Sequence, residues 1–196
     1  RWGGGANPPV VGELAVSHRS GVAAWTCKPG RNGETDVWVK LGYYGVTGMT
    51  WADGLLTGSS YQEKFCGSKQ DRAVLHFAVR FRRPPDEAKR VAVAVVNGKT
   101  REKVHDGVGY GFRFDTKTDP AVALKIGVSW TSPEQAAKNL DAEIPEWDVA
   151  AVVAAGRRAW DGCLARVSAP DAPLWQRRHL TQNLMDVVLH PDVFTD

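Results

Sequence analysis

The side chains that could bind a metal ion or attack a substrate are few, and their spacing completes no familiar motif. The five histidines nowhere form HxH or HExxH, which would place two ring nitrogens on one metal ion. The three cysteines form no CxxC pair and are too few for a four-cysteine zinc site. Ser17 and His18 are adjacent, yet no GxSxG turn presents a serine as a nucleophile. The sequence therefore predicts no metal site and no nucleophilic serine, and each histidine is expected to be solvated or hydrogen-bonded.

Two glycine-containing segments deserve separate interpretations. GVGYGF, at residues 107–112, resembles a nucleotide loop but does not open a helix, so it predicts a β-turn. YQEKFCGSKQ, at residues 61–70, joins two predicted strands and carries an aromatic ring, a thiol and a glycine. Such a segment could bring backbone and an aromatic face close to a sugar ring. An ordinary turn stays open as the alternative, because the eight tryptophans of the chain suit large cores as well as sugar sites.

The composition is that of an ordinary globular protein and excludes several functional classes. A chain of 196 residues forms one domain, or one domain and part of a second. Its net charge of +3 is too small to indicate a nucleic acid or a membrane surface as partner. No apolar run is long enough to cross a membrane, and the opening RWGGGANPPV has neither a secretory nor a transit-peptide pattern.

Residues 1–130 have the alternating pattern of β-strands with one buried face. The clearest run, AVLHFAVRF, places Leu75, Phe77, Val79 and Phe81 on one side. Residues 121–130 repeat the pattern, and the apolar side includes Val122, Leu124 and Ile126. Short strands at this spacing, separated by turns such as PGRNG and ADG, predict an antiparallel β-sandwich.

Two finer predictions concern the ends of these strands. A run with Tyr110, Phe112 and Phe114 on one side precedes the turn TKTDP, so it is expected to form a hairpin with residues 121–130. Three arginines follow one another at the end of AVLHFAVRFRR, beside two prolines. They predict a charged edge strand that discourages pairing with other sheets: Arg80, Arg82 and Arg83.

After Thr131 the periodicity becomes helical. Ser132, Pro133 and Gln135 predict an N-cap, a first-turn proline and the reciprocal side chain of a capping box. Asp148 predicts a second N-cap, before a stripe of apolar residues that extends from Val149 to Val167. A third helix follows APDAP and is expected to end at His190–Pro191, because a residue before proline avoids helical geometry. If the sandwich does not cover both later stripes, they leave an exposed apolar patch.

Several of these segments, in their order along the chain, resemble glycoside hydrolase family 92, the exo-acting α-mannosidases. The matching pieces begin with ELAVSHRSGVAAWTCKP and FCGS and include KIGVSWTSPEQAAKNLDAEIPEWD. The tail LWQRRHLTQNLMDVVLHPDVFTD resembles the first helix of the catalytic domain and the motif that ends it. The resemblance covers residues 12–196, and SPEQAAKNLDAEIPEWD is its most specific part.

The resemblance implies a mainly β fold with three parts. These are an antiparallel β-sandwich over residues 1–130, an α-helical linker over 131–170 and the start of an all-α (α/α)6 barrel over 171–196. In the family, a calcium ion and two carboxylates of the barrel hydrolyse terminal α-mannose with inversion. The chain is therefore expected to hold neither catalytic carboxylate, to bind no calcium alone and to be inactive alone. An extracellular or periplasmic location is also implied.

The same resemblance supplies the candidate substrate-binding residues. Phe65, Cys66 and Gly67 match a loop that faces the barrel, so they are expected to contact a mannose-containing glycan. His190 and Asp196 match the end of the first barrel helix. The alternatives are a buried apolar role for Cys66, packing for His190 and a helix-end role for Asp196. For the whole chain, the alternative is a non-catalytic glycan-binding or interaction module without a barrel.

Overall fold

The computed structural model describes residues 11–26, 33–40, 46–63, 72–96 and 103–188. These residues form nine strands and, after them, three helices. The strands are β1 (Val11–Val16), β2 (Ser20–Thr26), β3 (Glu34–Val39), β4 (Val46–Ala52), β5 (Leu55–Glu63), β6 (Arg72–Phe81), β7 (Glu87–Val96), β8 (Lys103–Asp115) and β9 (Ala121–Ser129). The helices are α1 (Pro133–Glu143), α2 (Val149–Leu164) and α3 (Leu174–Val188).

The strands form two antiparallel sheets packed face to face, as the sequence predicted. The larger sheet has the order β1-β2-β9-β6-β5-β4 and the smaller one β3-β8-β7. Their shared core is aromatic: the Phe81 ring of the large sheet lies 4.7 Å from Phe112 and 5.2 Å from Phe114 of the small sheet. The mainly β fold with helices at its C-terminal end is thereby confirmed.

The second face of the large sheet is covered by α1, which produces a third layer. Gly127 of β9 lies directly beneath this helix, and a Cβ atom there would stand 2.2 Å from the carbonyl oxygen of Ala136. Ala136 and Leu140 are fully buried against the sheet. β9 is therefore covered on both sides near Gly127, which meets α1, whereas Val122, Leu124 and Ile126 of the same strand face the core.

The predicted hairpin between the runs at 110–114 and 121–130 is wrong. β8 pairs with β3 and β7, whereas β9 pairs with β2 and β6, so the TKTDP turn crosses from one sheet to the other. The crossing is held by buried Thr116, whose backbone N–H donates to the carbonyl oxygen of Gly33 at 2.8 Å. Alternation fixes which residues share a face but does not choose the partner strand.

The predicted roles of the arginines and of GVGYGF are also wrong. β6 lies between β5 and β9, so the arginines at its end do not mark a sheet edge. Arg80 pairs with Asp141 of α1 at 2.8 Å, and the Arg83 guanidinium donates to the carbonyl oxygens of Asp115 and Asp119 at the crossing. GVGYGF lies inside β8, in register with β7, because Val108, Tyr110 and Phe112 need the alternation of a strand to pack.

The helix caps are largely as predicted. The Ser132 hydroxyl accepts a hydrogen bond from Gln135 N–H at 3.0 Å, and the Asp148 carboxylate accepts one from Ala151 N–H at 3.0 Å. The reciprocal half of the capping box is absent, because the Gln135 side chain donates to Asn139 instead. The start of each helix is thus determined by residues close to it in sequence. The second hydrogen bond of the capping box does not form, because Asn139, one turn farther along α1, accepts the Gln135 side chain.

Candidate functional site

The five residues named from sequence as glycan contacts lie outside the described residues. Phe65, Cys66 and Gly67 fall between β5 and β6, and His190 and Asp196 follow α3. The residues that flank the first segment are described: Glu63 of β5 and Arg72 of β6 are paired antiparallel. The roles of these five residues stay predictions.

A row of polar side chains crosses the large sheet on the side that faces α1. Ser59, His76 and Ser129 are neighbours on β5, β6 and β9, on the side that faces α1. The Ser59 hydroxyl lies 2.7 Å from His76 Nδ1. The Ser129 hydroxyl accepts hydrogen bonds from Thr131 N–H and Ser132 N–H, which turn the chain into α1. His76 was expected to be solvated or hydrogen-bonded, but no sequence motif indicates the row, because pairing between distant strands creates it.

The acidic group at this end of the sheet is Glu134, in the first turn of α1. Its own backbone N–H, the Ser132 hydroxyl and the charge of His76 lower the pKa of the Glu134 carboxyl group. A lowered pKa keeps this group ionised at neutral pH. It therefore suits hydrogen bonding or helix capping, and not the proton donation required of a glycosidase acid.

A buried cation fixes the other end of α1. Lys125 of β9 is 4% exposed, and its ammonium group donates to the carbonyl oxygens of Ile144 at 2.6 Å and Pro145 at 2.9 Å. The same group lies 4.4 Å from the centre of the Trp147 ring. Burial lowers the pKa of the Lys125 ammonium group. These contacts make Lys125 a structural clamp between the sheet and the end of α1.

The turn between β1 and β2 is held to the same helix end. The Ser17 hydroxyl lies 2.5 Å from a Glu143 carboxylate oxygen, and Arg19 N–H donates to that oxygen at 2.9 Å. Ser17 therefore holds the turn to the end of α1.

Within the described ranges, no three His, Cys, Asp or Glu side chains come together in a way that could hold a metal ion. Calcium in a longer enzyme therefore stays a prediction, and no chemical step is assigned to it. Over the same ranges, each helix is too short or too polar to cross a membrane.

The two helices that follow α1 in the chain, α2 and α3, carry several large apolar side chains that are exposed. Neither α2 nor α3 has a buried residue. Val149 and Val152 of α2 are partly buried against β1 and β2. Half-buried residues farther along the two stripes are Cys163, Leu164, Leu180 and Leu184. The exposed residues of this helical surface are Val153, Trp160, Val167, Leu174, Trp175, Val187 and Val188. The sandwich therefore leaves apolar side chains of both later helices exposed.

The architecture is thus that of a two-sheet sandwich followed by helices, the last two of which have open apolar faces. Residues 135–196 match the model of the glycosyl hydrolase family 92 catalytic domain. A search of curated proteins finds no match. The family match therefore begins in α1 and runs through all three helices.

Solved structures of the family share the fold. An inverting family 92 mannosidase from Bacteroides thetaiotaomicron matches 92% of this chain and 24% of its own, with 18% identity and a TM-score of 0.61. A second α-mannosidase from that organism, solved with mannoimidazole, matches 95% of this chain and 25% of its own, with 18% identity and a TM-score of 0.70. A family 92 glycosyl hydrolase named ccman5 matches at 21% identity and a TM-score of 0.61.

These findings confirm the resemblance to family 92 that the sequence motifs indicated. At this level of identity the structures establish the shared fold. The chain spans about a quarter of the length of the solved structures that it matches.

Proposed function

We propose that this chain is part of a family 92 glycoside hydrolase that removes terminal α-mannose from glycans. The observation that carries the proposal is the match of residues 135–196 to the family's catalytic domain. These residues follow a β-sandwich whose fold the solved mannosidases of the family share. In this arrangement the sandwich is a supporting domain, α1 and α2 lie in the helical linker, and α3 begins the barrel of the catalytic domain.

The open helical surface supports this assignment. Trp175 is 66% exposed and Val187 69% exposed on α3, although each would contribute about 1.5–3 kcal/mol if fully buried. A self-standing glycan-binding module would bury such side chains itself. In the first helices of a larger helical domain, such side chains are buried by the helices that follow in the chain. The occupant proposed for this surface is therefore the remainder of the helical catalytic domain.

The proposed chemistry follows from the family resemblance. Water attacks the anomeric carbon of an α-mannoside with the help of one carboxylate, while a second carboxyl group protonates the leaving oxygen, so β-mannose is released. Calcium would assist this reaction in the complete enzyme. Phe65, Cys66 and Gly67 are proposed to contact the sugar from the sandwich, and His190 and Asp196 from the helical domain. The chain alone would not hydrolyse mannosides.

The test begins with the coding sequence on both sides of these residues. The 196-residue chain and the product of the whole reading frame are assayed on α-linked mannosides, with NMR detection of the released anomer. The expected result is activity of the longer product only, β-mannose as first product, and loss of activity with a calcium chelator. A whole reading frame that encodes no helical domain, or whose product releases no mannose, would overturn the proposal.

Site residues are then tested in the active product. Phe65→Ala and Cys66→Ala are expected to raise KM, and Cys163→Ala on α2 is the matched cysteine control. Equal kinetics for the Cys66 and Cys163 variants would remove Cys66 from the sugar site.

A further inference from the structure

The outward side of the small sheet carries an exposed tryptophan above a glycine. Trp38 of β3, Gly111 of β8 and Lys89 of β7 form one cross-strand row, and Asp36, Arg113 and Glu87 form the next. Val91 lies beside them on β7. Together these seven residues line a depression of about 60 Å³, and they are called the Trp38 face below.

The Trp38 ring is held over the backbone of Gly111. A Cβ atom built at Gly111 would lie 3.2, 3.3 and 3.4 Å from three atoms of the six-membered ring, so a larger residue there would push the ring outward. Trp38 is still 63% exposed. Glycine inside a strand weakens the strand and often marks the close approach of a ligand. Here it seats an aromatic ring whose other side is open to solvent.

The charged groups around the ring are fixed and nearly balanced. Arg113 Nε lies 3.0 Å from Asp36 and 3.7 Å from Glu34, and a second guanidinium nitrogen lies 3.4 Å from Glu87. The hydrogen bond that Arg113 Nε donates to Asp36 is the main cause that raises the pKa of the guanidinium group. With Lys89, the face holds two cations and two carboxylates, and Glu34 lies beside Arg113. It therefore offers hydrogen-bond donors and acceptors without a strong field for a polyanion.

We propose that the Trp38 face binds an uncharged glycan, with one pyranose ring stacked on Trp38. The C–H groups on one side of a pyranose form a flat apolar surface that fits an aromatic ring. Its peripheral hydroxyl groups would reach the carboxylates and cations beside Trp38. The depression is too shallow to enclose a ligand, which suits a chain of sugars lying across the surface. This binding goes beyond the proposed hydrolysis and does not depend on it.

The test is a titration of the 196-residue chain, followed by NMR or calorimetry. Soluble oligosaccharides of α-mannan and of β-glucan are the probes, and heparin is the anionic comparison. The expected result is a dissociation constant of about 1 mM or lower for a neutral oligosaccharide. Trp38→Ala is expected to weaken binding at least about tenfold. Trp175→Ala, which removes a tryptophan of similar exposure from α3, leaves binding unchanged.

Gly111→Ala provides a second variant that keeps the tryptophan. The added Cβ displaces the ring, so binding weakens although Trp38 is present. Circular dichroism melts confirm that each variant is folded. The proposal is overturned if no neutral oligosaccharide binds at millimolar concentration, if heparin is preferred, or if the Trp38 and Trp175 variants behave alike. Shielding of Trp38 from a fluorescence quencher in the longer enzyme would also overturn it, in favour of a domain interface.

Discussion

Two regions of the molecule differ in how far their apolar residues are buried. One region is the sandwich together with α1, and the other consists of α2 and α3. In the sandwich, Phe112 and Phe114 are completely buried, and α1 buries Leu140 completely. In α2 and α3 no residue is buried, although both carry apolar stripes. The first region is packed by its own chain, whereas the second has an open apolar surface.

This difference separates the formation of a helix from its stabilisation. The Asp148 cap and a suitable periodicity are enough to define α2, because they act within a single turn or a few turns. Burial of the stripe requires another surface, and most of the stability of a protein helix comes from that packing. We therefore expect the sandwich with α1 to provide most of the free energy of unfolding. We expect α2 and α3 to be stabilised when a partner covers their apolar surface.

The largest expected effect is in the aromatic core. Phe112→Ala should lower the free energy of unfolding by about 3–5 kcal/mol, because it removes a fully buried ring between the two sheets. Trp175→Ala on α3 should change it by less than about 0.5 kcal/mol. Guanidinium unfolding followed by circular dichroism measures both. Equal losses would mean that α3 is packed in solution, for example by self-association.

A smaller loss is expected when the clamp under α1 is removed. Lys125→Met leaves the carbonyl oxygens of Ile144 and Pro145 without their buried donor and should cost about 1.5–3 kcal/mol. Lys138→Met changes an exposed lysine of the same helix and serves as control. Chemical denaturation of both variants gives the difference. Similar stabilities for the two would show that the clamp contributes little.

Two glycines should respond with opposite signs. Gly127→Ala places a Cβ atom against the α1 backbone and should destabilise the protein by about 1–3 kcal/mol. Gly156 is inside α2 with nothing within 4 Å of a built Cβ, so Gly156→Ala should stabilise by about 0.5–1 kcal/mol. Melting temperatures report the signs. A destabilising Gly156→Ala would indicate that this side of α2 is already covered.

The smallest effect concerns acid stability at the start of α1. Because the folded state lowers the pKa of Glu134, its contribution to stability is complete above the unfolded pKa and is lost as the pH falls through the folded pKa. Glu134→Gln should therefore be less stable than the parent near neutral pH and approach it in acid. Denaturation curves between about pH 6 and pH 3 test this. A constant difference over that range would refute it.

Much of the fold could be predicted from local patterns. The alternation in β6 and β9, the caps at Ser132 and Asp148, and the open apolar stripes were all read correctly because each depends on residues a few positions apart. The predictions that were wrong depend on which distant strands pair with one another. The outward glycines of β8 looked like a turn, because nothing in GVGYGF shows that Trp38 of another strand lies over one of them.

The candidate site residues also fall into those that a local motif indicates and those that strand pairing brings together. Family motifs pointed to Phe65, Cys66 and Gly67, but the row Ser59–His76–Ser129 and the Trp38 face had no motif, since cross-strand pairing assembles each from separate strands.

The sequence by itself therefore determined the alternation of the strands, the beginnings of the helices and the resemblance to family 92, because periodicity, capping and motifs are properties of neighbouring residues. Only the tertiary structure decided that β8 and β9 belong to different sheets, that Lys125 clamps a helix end and that Trp38 is seated on Gly111. Each of these depends on which distant strands pair, and that choice is made by the packing of the whole core.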